Sequence, residues 1–369
     1  MTSADDAIRL LAGSRARARI EREGLRPRDI VGVAAAAGGP KGLALLPLDR
    51  WVFGDWLPRD PASATRRVLA GASIGAWRMA ACAQREPLAA LDRLEQAYLE
   101  RQRYPLRPSP RHVSQVCREI LQALIGGDAR DFLQGMHPRA TLAVVTARSA
   151  ARRDGPLALR SGFARAALSN AVSRERLAAH LSRLAFVAGD DTALLPALPP
   201  DRFGAHTAAL SAEALEDALL ASGSIPLVAD PVRNIAGAPG GDYWDGGLID
   251  YHLYWRWSAL DGVVLYPHFA PRVTAGWLDK LLPWRSHGVG AAGRDWLDNV
   301  LLVVPSDTML ARLPGGRLPD RKDFHRYGLR HDARLSHWRS AIGECARMAE
   351  ALARFVERPD PTRLEPLRP

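Results

Sequence analysis

Six short apolar runs constrain this chain more than any other feature. They are DIVGVAAAA (29–37), RRVLAG (66–71), ATLAVVTA (140–147), RLAFVAG (183–189), GVVLYPHF (262–269) and NVLLVVPS (299–306). None alternates apolar with polar residues, and each is bounded by Gly, Pro, Asp or Arg. Runs of this kind suit strands covered on both faces rather than strands with one wet face. Between them, segments 5–23, 87–101, 111–124, 211–221 and 331–357 carry a helical period. Interleaving of the two patterns predicts an α/β fold, a mostly parallel or mixed sheet held between helix layers.

The proline- and glycine-rich joints at 104–110, 196–201, 236–242 and 313–320 are too short to be linkers between independent domains. The expected organisation is a helical N-terminal segment (1–28), an α/β core (29–253), a remainder of the same domain ending in one long helix (254–357), and a polar tail (358–369). No uninterrupted apolar stretch approaches the roughly 18–20 residues of a membrane span. The first residues mix acids with arginines, unlike a secretory or mitochondrial leader. Three cysteines, Cys82, Cys117 and Cys345, lie far apart and form neither a disulfide framework nor a zinc pattern. A cytoplasmic protein without metal or cofactor is the expectation.

The formal net charge is +10, and nearly all of the basic residues are arginine. Such an excess could draw a protein to anionic lipid or to nucleic acid. The arginines are scattered over every segment, as on a solvated surface, and no nucleic-acid signature accompanies them.

Three stretches carry chemistry. In VLAGASIGAWRMA (68–80) a strand runs into Gly71-Ala72-Ser73-Ile74-Gly75 and then a helix. A serine between glycines at a strand-to-helix turn is the pattern of a nucleophile elbow, and the helix that follows aims its positive end at developing negative charge. In AAAAGGPKGLALL (34–46) another strand ends in Gly38-Gly39-Pro40-Lys41-Gly42. Proline has no N–H, so Gly38 and Gly39 are the candidate oxyanion donors, with the Ile74 amide as a possible third. The third stretch, ALLASGSIPLVADPV (218–232), leads to GGDYWDGGLIDYHL (240–253), where Asp245-Gly246-Gly247 makes a compact turn. A carboxylate there could take a proton from Ser73 if the two meet.

The order and spacing of AGGPKG, GASIG, ASGSIPLVADPV and YWDGG resemble the patatin-like phospholipase family of lipid acyl hydrolases, over roughly residues 29–253. That resemblance implies a three-layer α/β/α fold and a Ser-Asp dyad without histidine. Ser73 matches its nucleophile, Asp245 its base, and Gly38 and Gly39 its oxyanion-hole glycines, with Gly42, Gly71, Gly75, Gly246 and Gly247 completing the motifs. The sequence departs from the family at one glycine: the first of its usual G-x-G-x-x-G is Ala37 here. Lys41 falls where the family usually carries Lys or Arg. The implied substrate is a lipid or other ester, its class left open.

Two other readings stand beside the dyad. His252, His268 and His287 all follow Asp245, so a Ser-acid-His order is permitted. A non-catalytic lipid- or partner-binding protein on the same scaffold is the second. GWLDKLLPWRSH (276–287) sets Trp277 and Trp284 among Lys280, Arg285 and His287, the composition of an interfacial helix, lid or peripheral membrane contact, although a helix end packed on the core fits it too. YHLYWRW (251–257) reads as core or pocket wall.

Overall fold

The computed structural model describes residues 4–60, 65–151, 154–282 and 295–367. Eleven strands form one mixed sheet: β1 (Ile8–Ala12), β2 (Ile30–Ala35), β3 (Arg67–Ala72), β4 (Ala140–Ser149), β5 (Ser182–Ala188), β6 (His206–Ala209), β7 (Val232–Arg233), β8 (Asp242–Asp245), β9 (Val263–Pro267), β10 (Val300–Pro305) and β11 (Leu364–Pro366). The main order is β11-β1-β10-β9-β2-β3-β4-β5-β6, with β8 on β4 and β7 on β8. The centre, β10-β9-β2-β3-β4, is wholly parallel.

Successive side chains of a strand point to opposite faces, so an unbroken run of buried residues means that both faces are covered. β9 and β10 are buried at every position, and β2 at all but one. The six apolar runs become β2, β3, β4, β5, β9 and β10, in the α/β/α arrangement the sequence predicts. Of the helices, Pro87–Arg101 coincides with its predicted span, Pro110–Ile125 extends its span by one residue at each end, and Ala212–Gly223 starts one residue later and ends two later than expected.

Both ends of the chain depart from expectation. Residues 8–12 are strand β1 rather than helix, because IRLLA is buried between β10, which it pairs antiparallel, and β11, which it pairs parallel. Of the predicted span, Ser14–Glu23 is α-helical and the start lies in a short 3-10 turn, Ala4–Ala7. Strand pairing in the sheet overrides the weak helical preference of a five-residue piece. The supposed polar tail supplies β11, with Leu364 buried against the core. The single long helix is two, His331–Glu344 and Ala346–Glu357. They break at buried Cys345, whose ψ of -9° leaves the helical range and whose carbonyl accepts from Met348 N–H in a tight turn.

Candidate active site

The sheet register brings the two distant motifs together. β3 pairs with β4 only as far as Ala72 opposite Val145, after which the chain turns away at Ser73. β4 continues to Ser149, and the vacated edge is taken by β8, running antiparallel with Asp245 opposite Thr146. Asp245 is therefore delivered to the point where β3 ends. On the other side, β2 pairs with β3 up to Ala35 opposite Gly71, so the Gly38-Gly39 loop leaves the sheet beside the serine turn.

Ser73 caps the helix Ile74–Cys82 with φ 57° and ψ -132°. A non-glycine residue in this region is strained and persists only where its surroundings enforce it. The enforcement is visible. A Cβ on Gly75 would lie 2.1 Å from the Ala35 carbonyl oxygen, and one on Gly71 would lie 2.4 Å from the Ala76 nitrogen. The turn is thus packed too tightly to relax. The Ser73 N–H donates to Ser222 Oγ at 2.9 Å, and that hydroxyl donates to the Val145 carbonyl at 2.7 Å.

The same ASGS segment holds the carboxylate turn. Asp245 N–H donates to the Ser224 carbonyl at 2.8 Å and Gly246 N–H to the Ser222 carbonyl at 3.3 Å. A Cβ on Gly246 would stand 2.2 Å from the Val145 carbonyl oxygen. Asp245 is buried, shares the recess with the Ser73 side chain, and accepts from Gly247 N–H at 2.7 Å on Oδ1. Burial pushes its carboxyl from 3.8 up to about 6, while the Ser73 and Gly247 hydrogen bonds and the Arg321 charge oppose that rise.

Gly38, Gly39, Ser73 and Asp245 line one narrow recess. Gly39 has φ 56°, a left-handed conformation that glycine adopts without cost, and a Cβ on Gly38 would sit 2.5 Å from the Phe269 ring. Gly42 packs against Ile74, where a Cβ would come within 2.8 Å. The loop then runs into a tight helix, Gly39–Leu45, before the α-helix Leu46–Trp51. Ala37, in place of the expected glycine, keeps a backbone bond from its N–H to the Tyr251 carbonyl at 2.9 Å. Gly247 makes room for its methyl, since a Cβ there would lie 2.8 Å from Ala37 Cβ.

The histidines fall outside this arrangement. His252 Nδ1 accepts from Thr274 N–H, His268 Nδ1 is bonded to the Ala270 backbone, and the Nε2 of each is buried without a hydrogen-bond partner. Burial keeps both neutral, with His268 pushed down to about 3 and His252 also well below its ordinary value, the nearby Lys280 charge adding to the effect of burial there. His287, like Trp284 and Arg285, lies outside the described residues. The described start of that segment, Trp277–Leu281, is a short tight helix fastened to the body. Leu278 packs against a small core that includes Trp244, and buried Asp279 accepts from Asn170 and Arg174. Trp277 and Tyr251 are pocket wall, and Trp255 and Trp257 are core.

Three features escape the sequence motifs. Ser222 sits inside a quoted segment, but nothing marks its hydroxyl as the clamp on Ser73 N–H. Arg78, on the helix after Ser73, makes a two-pronged, fully buried ion pair with Asp49 at 2.6 and 2.8 Å, tying that helix to the one after the glycine loop. Arg321 lines the recess from the C-terminal third, where no motif points to it. The recess opens into a cleft of about 610 Å³ whose apolar wall includes Trp77, Tyr98, Val113, Ile120 and Phe324. A volume of this size is ordinary for a ligand pocket.

The described residues contain no helix long and apolar enough to cross a membrane, and no group of three or more side chains suited to hold a metal ion. A family profile described as Patatin-like phospholipase matches residues 31–252. No curated protein matches the chain.

Proposed function

The chain belongs to the patatin-like phospholipase family, lipid acyl hydrolases as a group, and from that premise we propose that it hydrolyses carboxylic esters of lipids through Ser73 and Asp245. The observation that carries the reading is that Ser73, on its strained turn, and the buried Asp245 carboxylate line one recess together with two glycines, close enough for the serine hydroxyl to lower the carboxyl pKa.

The steps follow from the chemistry of the groups. Asp245 accepts the Ser73 proton as Oγ attacks the ester carbonyl carbon, and the carbonyl electron pair moves onto oxygen. Backbone N–H groups of Gly38 and Gly39 hold that oxyanion, each worth about 10²-fold or more in rate. Collapse expels the alcohol, which takes the proton from Asp245. Water then attacks the acyl-serine, giving its proton to Asp245, and Ser73 recovers it as the acid leaves. An ordinary aspartate is too weak a base for this at neutral pH. A carboxyl near 6 is better matched and remains ionised above that value.

The three-residue alternative has less support, because among the described residues neither His252 nor His268 is hydrogen-bonded to Ser73 or Asp245. The test is covalent. A fluorophosphonate probe should label the native protein at Ser73, as read by peptide mass spectrometry, and ester turnover should vanish in Ser73→Ala. An unlabelled Ser73 with no turnover of any ester would leave a binding protein on a hydrolase scaffold.

A further inference from the structure

Of the 50 Lys and Arg residues in the chain only three are lysine, Lys41, Lys280 and Lys322, and all three line the one cleft that opens from Ser73. Elsewhere the chain uses arginine wherever it needs a cation. Lysine differs in being a compact, strongly hydrated point charge that binds phosphate without demanding planar two-pronged geometry. Arg321 makes a fourth cation in the lining, and among the described residues Asp320 is the only carboxylate in that lining.

The four are held around the mouth of the recess. Lys41 Nζ lies 3.3 Å from Asp320 and 5.4 Å from the centre of the Phe269 ring. Lys280 Nζ donates to the Tyr251 hydroxyl at 3.3 Å and stands 5.0 Å from its ring centre. Arg321 lies 5.7 Å from the Trp277 ring, and its stem packs beside Gly39, where a Cβ would be 3.2 Å from Arg321 Cγ. Among the described residues neither Lys280 nor Arg321 has a carboxylate partner. Burial lowers the Lys280 ammonium below its ordinary value, and repulsion from Lys41, Arg321 and Lys322 adds to the effect. Against the four cations stand Asp320 and, from the recess, Asp245, so the rim keeps a net positive charge beside aromatic surfaces and suits an anion.

Apart from Lys41 and Phe324, the cations and the apolar wall come from different parts of the chain. Trp77, Tyr98, Val113 and Ile120 belong to the helices after β3, whereas Lys280, Arg321 and Lys322 belong to the C-terminal third. With an ester carbon at Ser73, the acyl chain has an apolar lining to enter, and the alcohol side of the ester is left to meet the charges.

Building on the acyl-hydrolase reading, we propose that Lys41, Lys280 and Arg321 bind an anionic phosphodiester on the alcohol side of the scissile ester, making the preferred substrate an anionic lysophospholipid-type ester rather than a zwitterionic or uncharged one.

The test compares three lauroyl esters on a glycerol backbone, each dispersed as monomers: lysophosphatidylglycerol, lysophosphatidylcholine and monoacylglycerol. Native kcat/KM should favour the anionic ester over the uncharged one by about tenfold or more and over the zwitterionic one severalfold, as charge-assisted contacts allow, and added salt should erode both preferences. Equal rates on the anionic and zwitterionic esters would overturn the charge preference. Lys280→Gln and Arg321→Gln should each cut the anionic-to-uncharged ratio severalfold, and Lys280→Arg should restore part of it. Because Lys280 is exposed, its variants keep the test open if Arg321→Gln fails to fold. A native ratio near one, with monoacylglycerol turned over and Ser73 labelled, would overturn the headgroup assignment and leave the hydrolase reading standing. A preference for the anionic ester seen only on vesicles, and not with monomers, would overturn it in favour of attraction to a charged surface. No turnover of any ester with Ser73 unlabelled would overturn both.

Discussion

Residues 31–252 and the C-terminal third meet at one cleft and contribute to it in different ways. The first region supplies the groups assigned to the ester itself: Ser73, Asp245 and the glycine loop, brought by main-chain pairing into one recess. The second supplies two central strands, β9 and β10, and side chains that reach the rim from a short helix and loops, Trp277, Lys280 and Arg321. Reaction geometry here is fixed by backbone, with glycines wherever a Cβ would collide. The rim rests on long side chains that can shift without unfolding anything. Changes in the first region should therefore alter how fast every ester reacts, and changes in the second should alter which ester is preferred.

The largest effect should come from Ser73→Ala, which removes the attacking atom. Turnover of all esters should fall by about 10⁴-fold or more, judged by what single losses cost in other serine hydrolases. Equal rates for native and variant protein would break the division at its root.

Asp245→Asn comes next, with a loss of about 10³- to 10⁴-fold, and it separates catalysis from stability. The native carboxyl titrates at about 6, so kcat/KM should fall as pH drops through that value. Stability runs the other way. Between 3.8 and about 6 the folded protein keeps a proton that the unfolded chain releases, so stability declines as pH rises across this window. Above it the ionised, buried group carries its full penalty. Asn at this position should gain about 1–3 kcal/mol at pH 7, seen in urea unfolding, and little or nothing below pH 4.

How much of this was legible follows the same division. The six apolar runs announce a sheet covered on both faces, and the glycines around Ser73 and Asp245 announce tight turns, because close backbone approach leaves almost no substitute for glycine. Strand β1 was not legible: IRLLA within a longer helix-like segment shows its preference only when β10 and β11 flank it. The break at Cys345 is marked only by Gly343 two residues earlier, too weak a signal by itself to end a helical period. Arg321 was illegible for another reason, since one arginine among so many carries no signal until the fold sets it beside Gly39. The lysines were legible in principle through their rarity, but rarity points nowhere until three distant positions are seen in one place.

A smaller loss should follow from Gly39→Ala. The φ of 56° costs an L-residue about 1–2 kcal/mol, and the new methyl would press on the Arg321 stem at 3.2 Å. The Gly39 amide assigned to the oxyanion should move, lowering kcat for every ester by about 10²-fold with little change in KM. A change in KM for anionic esters alone would instead tie the glycine loop to the rim.

The smallest effect, and the sharpest test of the division, is expected of Ser222→Ala. Its hydroxyl touches no substrate-facing surface; it receives the Ser73 N–H and donates to Val145, holding the strained turn against the sheet. Without it the Ser73 amide is buried and unpaired, at a cost of about 1–3 kcal/mol, which the turn can relieve only by drifting from φ 57° toward ordinary conformations. The serine oxygen would then move relative to both Asp245 and the glycine amides. A loss of about tenfold should appear in kcat, equally for anionic, zwitterionic and uncharged esters, because the displaced atom is common to all of them. A loss that depended on headgroup charge would mean that the turn and the rim act as one unit, and the separation between the region that reacts and the region that selects would not hold.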